Sequence, residues 1–256
     1  KAEMIAVALG KLGGREPNYH SDLDVVFLYS ADGETCRRVG GPRSTATNRS
    51  FFNQLAQRVI ERINAPGPKG RMYELDGRLR PPGEEGVFAV STEDFLNRFR
   101  QHEAPLWQWL AICKARSISG SRTSRTRFDN AVATLLTEAP WQSGMANDIR
   151  KIRTRMQETA TSGNLKRGEG GTVDVEFVAQ MLTLKHAAES PNITHCNTTL
   201  SLERLAEAGH LPEDEALQLI AGYQTLRGVE INLRLMKTPH RHALPELDSL
   251  MKNIPR

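Results

Sequence analysis

The sequence of 256 residues contains few cysteines, and this scarcity excludes several classes of protein. Its three cysteines, Cys36, Cys113 and Cys196, are far apart and odd in number. They therefore form neither a disulfide framework nor the paired spacing of a structural zinc site. We expect a protein of a reducing compartment, the cytoplasm.

Long apolar runs are also absent. No stretch approaches the roughly 20 consecutive apolar residues that span a bilayer, and nothing resembles a secretory signal. We therefore expect no membrane association. The first residue is Lys1, which we interpret as the start of a segment cut from a longer protein.

Neither sign of charge is in large excess. The 34 basic and 30 acidic residues give a net charge of +4, which permits nucleic-acid binding but favours a solvated surface of mixed charge. No basic stripe is interleaved with aromatic residues, as binding to a single strand requires. Nucleic acid is therefore not the expected partner.

The hydrophobic periodicity changes along the chain. Strands are predicted at 4–9, 24–29, 72–79, 87–90 and 115–119, and a loop at 33–48. Helices are predicted near 51–63, 91–100, 107–114, 128–138, 145–160, 174–189, 198–208 and 212–237. The basic, Ser/Thr-rich stretch 122–127 is predicted to be a linker or loop. The pattern predicts an α+β protein, with a mixed sheet and flanking helices over 1–120 and an all-helical bundle over 121–256.

Two aspartates one residue apart, Asp22 and Asp24, stand at the head of an apolar run. The strand period of two places both carboxylates on one face. Two like charges held this close repel each other, burial increases the repulsion, and a divalent cation between them would remove it. Eight residues before Asp22, the pair Gly13 and Gly14 would let backbone N–H groups approach an anionic ligand closely.

A third carboxylate, Asp76, precedes Arg78 and Arg80 on the same face of another predicted strand. Arginine suits phosphate because its planar guanidinium presents a fork of donors. Three carboxylates can hold two Mg²⁺ ions, which bridge a triphosphate and activate an attacking hydroxyl. The predicted roles are metal ligation by Asp22, Asp24 and Asp76, help in deprotonating the nucleophile by Asp76, and phosphate binding by Gly13, Gly14, Ser21, Arg78 and Arg80.

Each part of this set has a simpler alternative. An Asp-x-Asp motif is common in solvated turns, a glycine pair is often only a turn, and an aspartate with two arginines can be an exposed ladder of ion pairs. The combination is more specific, because all three carboxylates and the glycine pair must coincide. We therefore favour a nucleotide–metal site.

Three motifs resemble one family. They are Gly-Lys-Leu-Gly-Gly-Arg-Glu at 10–16, Ser-Asp-Leu-Asp at 21–24 and Leu-Asp-Gly-Arg-Leu-Arg-Pro-x-Gly at 75–83. Together with Gly-Gly-Thr-Val-Asp-Val-Glu-Phe at 170–177, they resemble glutamine synthetase adenylyltransferase, also called glutamate–ammonia-ligase adenylyltransferase. The catalytic heads of this two-headed bacterial enzyme belong to the polymerase-β-like nucleotidyltransferase superfamily.

The resemblance implies a reaction and partners. One head would move AMP from ATP to a tyrosine hydroxyl of glutamine synthetase, with Mg²⁺ as cofactor, and thereby regulate nitrogen assimilation. The sister head would remove AMP by phosphorolysis and release ADP. We favour the adenylylating head and keep the other as the alternative. Further implied partners are a PII-type regulator and the second catalytic head of the same longer chain. A regulatory module with a vestigial metal site is a rival that the three aspartates argue against.

Two more segments leave alternatives open. The basic, glycine-rich turn 166–171 either closes over the nucleotide or caps the following helix at a domain interface. In that helix, Glu176 is predicted to pair with one of the two arginines after Asp76 and to set the angle between the domains. The spacing of His240-x-His242 suits a metal, but no third ligand is near in sequence, which favours a solvated tail.

Overall fold

The protein is described by a computed structural model covering residues 2–19, 21–36, 45–68, 70–71, 73–77 and 86–236. The strands are β1 (Met4–Ala8), β2 (Asp22–Tyr29), β3 (Glu34–Cys36), β4 (Thr45–Thr47), β5 (Glu74–Asp76), β6 (Ala89–Ser91) and β7 (Arg116–Ser119). The helices are α1 (Gly10–Gly13), α2 (Asn48–Asn64), α3 (Thr92–Arg100), α4 (Leu106–Ile112), α5 (Arg122–Thr137), α6 (Met145–Glu158), α7 (Thr172–His186), α8 (Thr198–Glu207) and α9 (Glu213–Leu235), with a 3₁₀ turn at Pro191–Ile193. The predicted α+β class is confirmed.

Strand β2 is at the centre of the main sheet. Along one edge it pairs antiparallel with β1, which pairs antiparallel with β7. Along the other edge it pairs parallel with both β5 and β6, each covering one half of its length. The sheet is therefore mixed, as predicted, and β5 lies beside the end of β2 that carries the aspartates.

Side chains alternate along β2 between two hydrophobic clusters. Val26 and Leu28 face one cluster, built with α3, α4 and α5, while Val25 and Phe27 face another, which α2 covers. Both faces are buried, so this half of the strand is apolar without interruption. Asp22 and Asp24 continue the row of Val26 and Leu28, which places the carboxylates on the face that α3 to α5 cover.

The first cluster continues past the predicted domain boundary at residue 120. It includes Phe128 and Val132 of α5, Ile149 of α6 and Leu184 of α7. Helices α7, α8 and α9 enclose a further cluster of their own. The division into two domains stays a prediction, and the shared cluster shows how closely the helical part packs on the sheet.

Two local predictions are wrong. The stretch 122–127 is the beginning of α5 and not a linker or loop, because the Ser121 hydroxyl caps the helix by accepting from the Ser124 N–H at 3.2 Å. The predicted loop 33–48 contains β3 and β4, which pair antiparallel. Among the described helices, none combines the length and the apolar character needed to cross a membrane.

Candidate active site

The pairing of β2 with β5 brings the predicted carboxylates together. The two strands run parallel with Asp22 opposite Glu74 and Asp24 opposite Asp76. Paired residues of neighbouring strands point to the same face, so Asp22, Asp24 and Asp76 share one face. Glu74 lies on it as well, where its Oε2 accepts from Nη2 of Arg71 at 2.6 Å.

Burial and like charges act together on Asp24. Burial is the largest cause of the raised pKa of its carboxyl group, and the charge of Asp76 is the next. Asp22 acts in the same direction, while Lys166 lowers the pKa. A bound cation would relieve a carboxylate whose charge is disfavoured in this way.

Gly10 makes room for this carboxylate. It has a φ of +49°, and a Cβ atom built on it would lie 2.3 Å from Oδ2 of Asp24. A side chain at position 10 is therefore excluded both by the backbone conformation and by space. Sequence reasoning singled out Gly13 and Gly14 but missed this glycine, which directly borders the site.

The donor set suits a hard divalent cation, because carboxylate oxygens are ligands that Mg²⁺ prefers. Among the described residues, one potential ligand atom from each of His186, Glu189 and His210 lies within 4.8 Å of the other two. The carboxylate oxygens of the three aspartates do not come as close together as this. Mg²⁺ is usually held by one or two carboxylates together with waters and substrate phosphates. The looser arrangement of the aspartates therefore fits an ion that a nucleotide helps to bind.

The glycine pair has a structural role. A Cβ atom on Gly13 would lie 1.9 Å from the Lys114 carbonyl oxygen, and one on Gly14 would lie 3.0 Å from that of Cys196. The Arg116 Nε donates to the Gly13 carbonyl oxygen at 2.9 Å. Close backbone packing thus explains why both residues are glycines, and their contact with phosphate stays a prediction.

The segment before Asp22 is held by α9. Ser21 is buried, and its Oγ accepts from the Asn18 N–H at 2.9 Å. Nδ2 of Asn18 donates to Oε2 of Glu230 at 2.9 Å, and Nη1 of Arg234 donates to the Tyr19 carbonyl oxygen at 2.6 Å. Two residues of α9, each more than 200 positions away in sequence, thus position the segment that leads to the aspartates. The predicted contact of Ser21 with phosphate is not tested by this geometry.

A buried charge network joins the same segment to the helical part. Nζ of Lys114 lies 2.8 Å from Oε2 of Glu16, 3.7 Å from Oε1 of Glu176 and 3.0 Å from Oγ1 of Thr198. The Tyr223 hydroxyl donates to both carboxylates, at 3.2 and 3.1 Å. The side chains of Lys114 and Glu16 are only 4% and 8% exposed, so their charges stabilise each other with little help from water.

Lys11 and Glu230 form a second buried pair. Nζ of Lys11 lies 3.2 Å from Oε2 of Glu230, which also accepts from Nη1 of Arg227 at 3.1 Å. Burial lowers the pKa of Lys11 to about 8 against the opposing charge of Glu230. Sequence reasoning missed both residues. The available signal was a glutamate placed directly between the apolar residues Val229 and Ile231.

Glu176 contacts Lys114 and Tyr223. Its predicted partners, Arg78 and Arg80, lie outside the described residues, as does His240-x-His242. That pairing therefore stays a prediction, while the contact with Lys114 is one that sequence reasoning missed.

The turn at 166–171 caps α7, as one of the two alternatives predicts. The first backbone donors of the helix are occupied, because the Thr172 N–H donates to the Leu165 carbonyl oxygen at 2.9 Å and the Val173 N–H to that of Lys166 at 3.1 Å. These donors do not point to an anion. Lys166 is nevertheless close enough for its charge to lower the pKa of Asp24.

Arg153 holds this turn from α6. Its Nη2 donates to the Gly168 carbonyl oxygen at 2.7 Å and to Oδ2 of Asp174 at 2.8 Å. Asp174 lies in the first turn of α7, where a negative charge also complements the helix dipole. These contacts, with the hydrogen bond from the Val173 N–H to the Lys166 carbonyl oxygen, fix the backbone of the turn that carries Lys166.

Comparison with known families finds two matches that follow each other along the chain. Residues 1–131 match the family model of glutamate-ammonia ligase adenylyltransferase, and residues 144–254 match that of GlnD PII-uridylyltransferase. The first match spans the sheet, the three aspartates and more than half of the chain. The second spans α6 to α9.

Proposed function

The chain belongs to the glutamate-ammonia ligase adenylyltransferase family, and from that premise we propose that it transfers AMP from ATP to a tyrosine hydroxyl of glutamine synthetase. Membership makes it an adenylyltransferase that acts on glutamine synthetase, the other name of glutamate-ammonia ligase. The resemblance read from the sequence is thereby confirmed. The observation that carries the finer proposal is the register of Asp24 against Asp76, which places three carboxylates on one face.

The proposed reaction exchanges one bond for another. The tyrosine oxygen bonds to the α-phosphorus of ATP, the bond from that phosphorus to the bridging oxygen breaks, and pyrophosphate leaves. Asp22, Asp24 and Asp76 would hold Mg²⁺, which when bound supplies positive charge to the phosphates. Asp76 would also accept the proton of the tyrosine hydroxyl. Positioning and charge neutralisation would provide most of the rate.

The phosphates of ATP would lie between the aspartates and the first turn of the chain. We place Gly13, Gly14 and Ser21 on this side, with Arg78 and Arg80 as clamps. The packing around the glycine pair supports a rigid turn, and the effect of the Lys166 charge on the pKa of Asp24 supports a cation near the phosphates.

Replacing Lys166 with methionine is expected to reduce kcat/KM for ATP roughly tenfold, mainly through KM, because a charge-assisted contact with phosphate is lost. Steady-state kinetics with varied ATP would measure the effect and separate KM from kcat. The control is Lys151→Met, which removes an exposed lysine of α6 that pairs with Asp148 at 2.8 Å. Equal kinetics in both variants would exclude Lys166 from the ATP site.

Mass spectrometry of glutamine synthetase after incubation with this chain, ATP and Mg²⁺ tests the main proposal. The expected result is the mass of one AMP on a tyrosine, lost when a chelator removes the metal. Incubating already modified glutamine synthetase with phosphate tests the alternative. Release of ADP there, without AMP transfer in the first assay, would assign the deadenylylating activity to this chain instead.

The match of residues 144–254 to a PII-uridylyltransferase supports a regulatory role for the helical part. We propose that a PII-type protein alters the rate through these helices, which contact the segment before Asp22. Adding a PII-type protein to the AMP-transfer assay tests this, and an unchanged rate would contradict it. The second catalytic head of a longer chain is a further proposed partner.

A further inference from the structure

Three potential metal ligands meet far along the chain from the aspartates. His186, Glu189 and His210 each offer one ligand atom, and the three atoms lie within 4.8 Å of one another. Nδ1 of His186 is 3.5 Å from Oε2 of Glu189. The two imidazole rings are stacked, with their centroids 4.1 Å apart and their planes 14° from parallel. Two imidazoles and a carboxylate therefore already share one small volume.

Backbone hydrogen bonds hold the segment that carries His186 and Glu189. His186 is the last residue of α7, and its carbonyl oxygen accepts from the N–H groups of Glu189 at 3.1 Å and of Ser190 at 2.9 Å. This turn keeps Glu189 beside the imidazole. The spacing of three residues between the two ligands is thus set by the end of a helix.

The end of α8 positions the third ligand. The N–H groups of Gly209 and His210 donate to the carbonyl oxygens of Ala206 and Leu205, each at 2.9 Å, which is a Schellman motif. Gly209 has a φ of +76°, as that motif requires. Oγ of Ser190 lies 2.9 Å from Nε2 of His210 and orients the ring.

Buried neighbours fix the two segments to each other. Ala187 follows His186 and is fully buried, and Leu211 follows His210 and is 7% exposed. Both belong to the hydrophobic cluster that α7, α8 and α9 enclose. The ligand-bearing segments therefore cannot separate without opening this cluster, and the site is largely preorganised.

The three ligands differ in their exposure to solvent. The site is open on one side, since the side chain of Glu189 is 71% exposed while that of His186 is 17% exposed. Water would therefore complete the coordination of an ion.

We propose that His186, Glu189 and His210 bind a divalent transition metal ion, with Zn²⁺ as the best match. Imidazole nitrogen and carboxylate oxygen are ligands of zinc, with distances of about 2.0–2.2 Å, whereas Mg²⁺ prefers an all-oxygen set. The site is thus chemically distinct from the one proposed at the aspartates. A bound ion would link the end of α7 to the connection between α8 and α9.

Titrating the metal-free chain with ZnCl₂ by calorimetry, with thermal unfolding measured in parallel, tests the proposal. The expected result is a saturable site for one ion that raises Tm. His186→Gln and His210→Gln should each weaken the binding at least about tenfold, and Glu189→Gln should weaken it as well. Co²⁺ in place of Zn²⁺ should give a visible absorption band that both histidine variants lose.

Two controls test whether other histidines account for the Zn²⁺ binding. His102→Asn removes an exposed histidine with a φ of +57°, a conformation that asparagine tolerates, and should leave binding unchanged. His240→Gln with His242→Gln tests whether the histidine pair near the end of the chain is the real ligand. If a histidine variant at 186 or 210 misfolds, Glu189→Gln decides, because its exposed side chain can change without affecting packing.

Four outcomes would overturn the proposal. Two concern the proposed histidines: the absence of saturable Zn²⁺ binding, and unchanged binding in the double variant His186→Gln with His210→Gln. The other two are loss of binding in the variant at 240 and 242 alone, and unchanged affinity in Glu189→Gln.

Discussion

Replacing Asp24 with asparagine is expected to lower the kcat for AMP transfer at least roughly a thousandfold, because the metal ion that Asp24 would hold contributes several kcal/mol of charge stabilisation in the transition state. Asp24 is the central residue of the proposed site, since it lies opposite Asp76 in the register and two positions from Asp22. Its loss should affect kcat and the affinity for Mg²⁺ together. Single-turnover transfer of labelled AMP to glutamine synthetase, across a titration of Mg²⁺, would measure both.

The same variant should be at least as stable as the parent protein. The pKa of Asp24 is raised in the folded state, so the folded protein holds this proton more tightly than the unfolded chain does. Ionisation of Asp24 therefore lowers the free energy of unfolding. This loss develops as pH rises from about 3.9, the pKa of Asp24 in the unfolded chain, through its higher pKa in the folded protein. Asparagine removes this cost. The Tm of Asp24→Asn minus that of the parent should be near zero at low pH and positive at neutral pH.

Glu74→Gln is the matched control for Asp24→Asn. It removes a carboxylate from the same face of the sheet, but Glu74 is exposed and paired with Arg71. We expect a change in kcat of less than about threefold, as for other exposed ion pairs. Activity retained in Asp24→Asn, or lost equally in both variants, would contradict the assignment of Asp24 as a ligand.

Replacing Lys114 with methionine is expected to destabilise the fold by roughly 3–5 kcal/mol, because two buried carboxylates lose their counter-charge. For a chain of this size each kcal/mol lowers Tm by about 2–4 °C, so Tm should fall by roughly 6–20 °C. Glu16 and Glu176 are the carboxylates concerned. Thermal unfolding by circular dichroism would measure the loss.

The pH dependence of this effect follows from the directions of two pKa shifts. Burial alone would lower the pKa of Lys114, but Glu176 and Glu16 reverse the shift and raise it, so its stabilisation is lost as pH rises above its usual value of 10.5. Burial would raise the pKa of Glu176, but Lys114 and Lys11 lower it, so its stabilisation is lost as pH falls below 4.5. The difference in Tm should therefore be largest between these limits.

Two further variants separate charge from packing. Combining Lys114→Met with Glu16→Gln and Glu176→Gln removes the uncompensated charges and should recover much of the lost stability. Lys151→Met, at an exposed site, should change stability by less than about 0.5 kcal/mol. If the triple variant were no more stable than Lys114→Met, lost packing and not electrostatics would be the cause.

The sequence predicts the carboxylate set because it depends on local alternation. Asp22 and Asp24 share a face through the period of a strand alone, and Asp76 stands within a similar pattern. The register that places Asp76 opposite Asp24 is not contained in either segment, because it arises from packing across more than fifty residues of intervening chain.

The buried charge network around Lys114 cannot be predicted from local sequence patterns for the same reason. Lys114 and Glu16 are 98 positions apart, and each alone is an ordinary charged residue within a motif. The start of α5 could not be predicted for another reason. Serine, threonine and arginine at 122–127 are typical of loops, but the serine at 121 caps a helix that begins at Arg122. The composition of 122–127 therefore indicated a linker or loop, whereas the hydrogen bond from the Ser124 N–H to the Ser121 hydroxyl stabilises a helix there.

Helices α8 and α9 contact the segment 16–19, which follows the glycine pair, and these contacts limit how short an active fragment of the enzyme can be. A fragment ending at residue 120 would keep every aspartate of the proposed site, yet Glu16 would lose Thr198 and Tyr223, and Asn18 would lose Glu230. A truncation at residue 120 would therefore remove the side chains that hold the segment leading into Asp22. The distant helices therefore belong to the proposed catalytic unit, because they hold the segment that leads into Asp22.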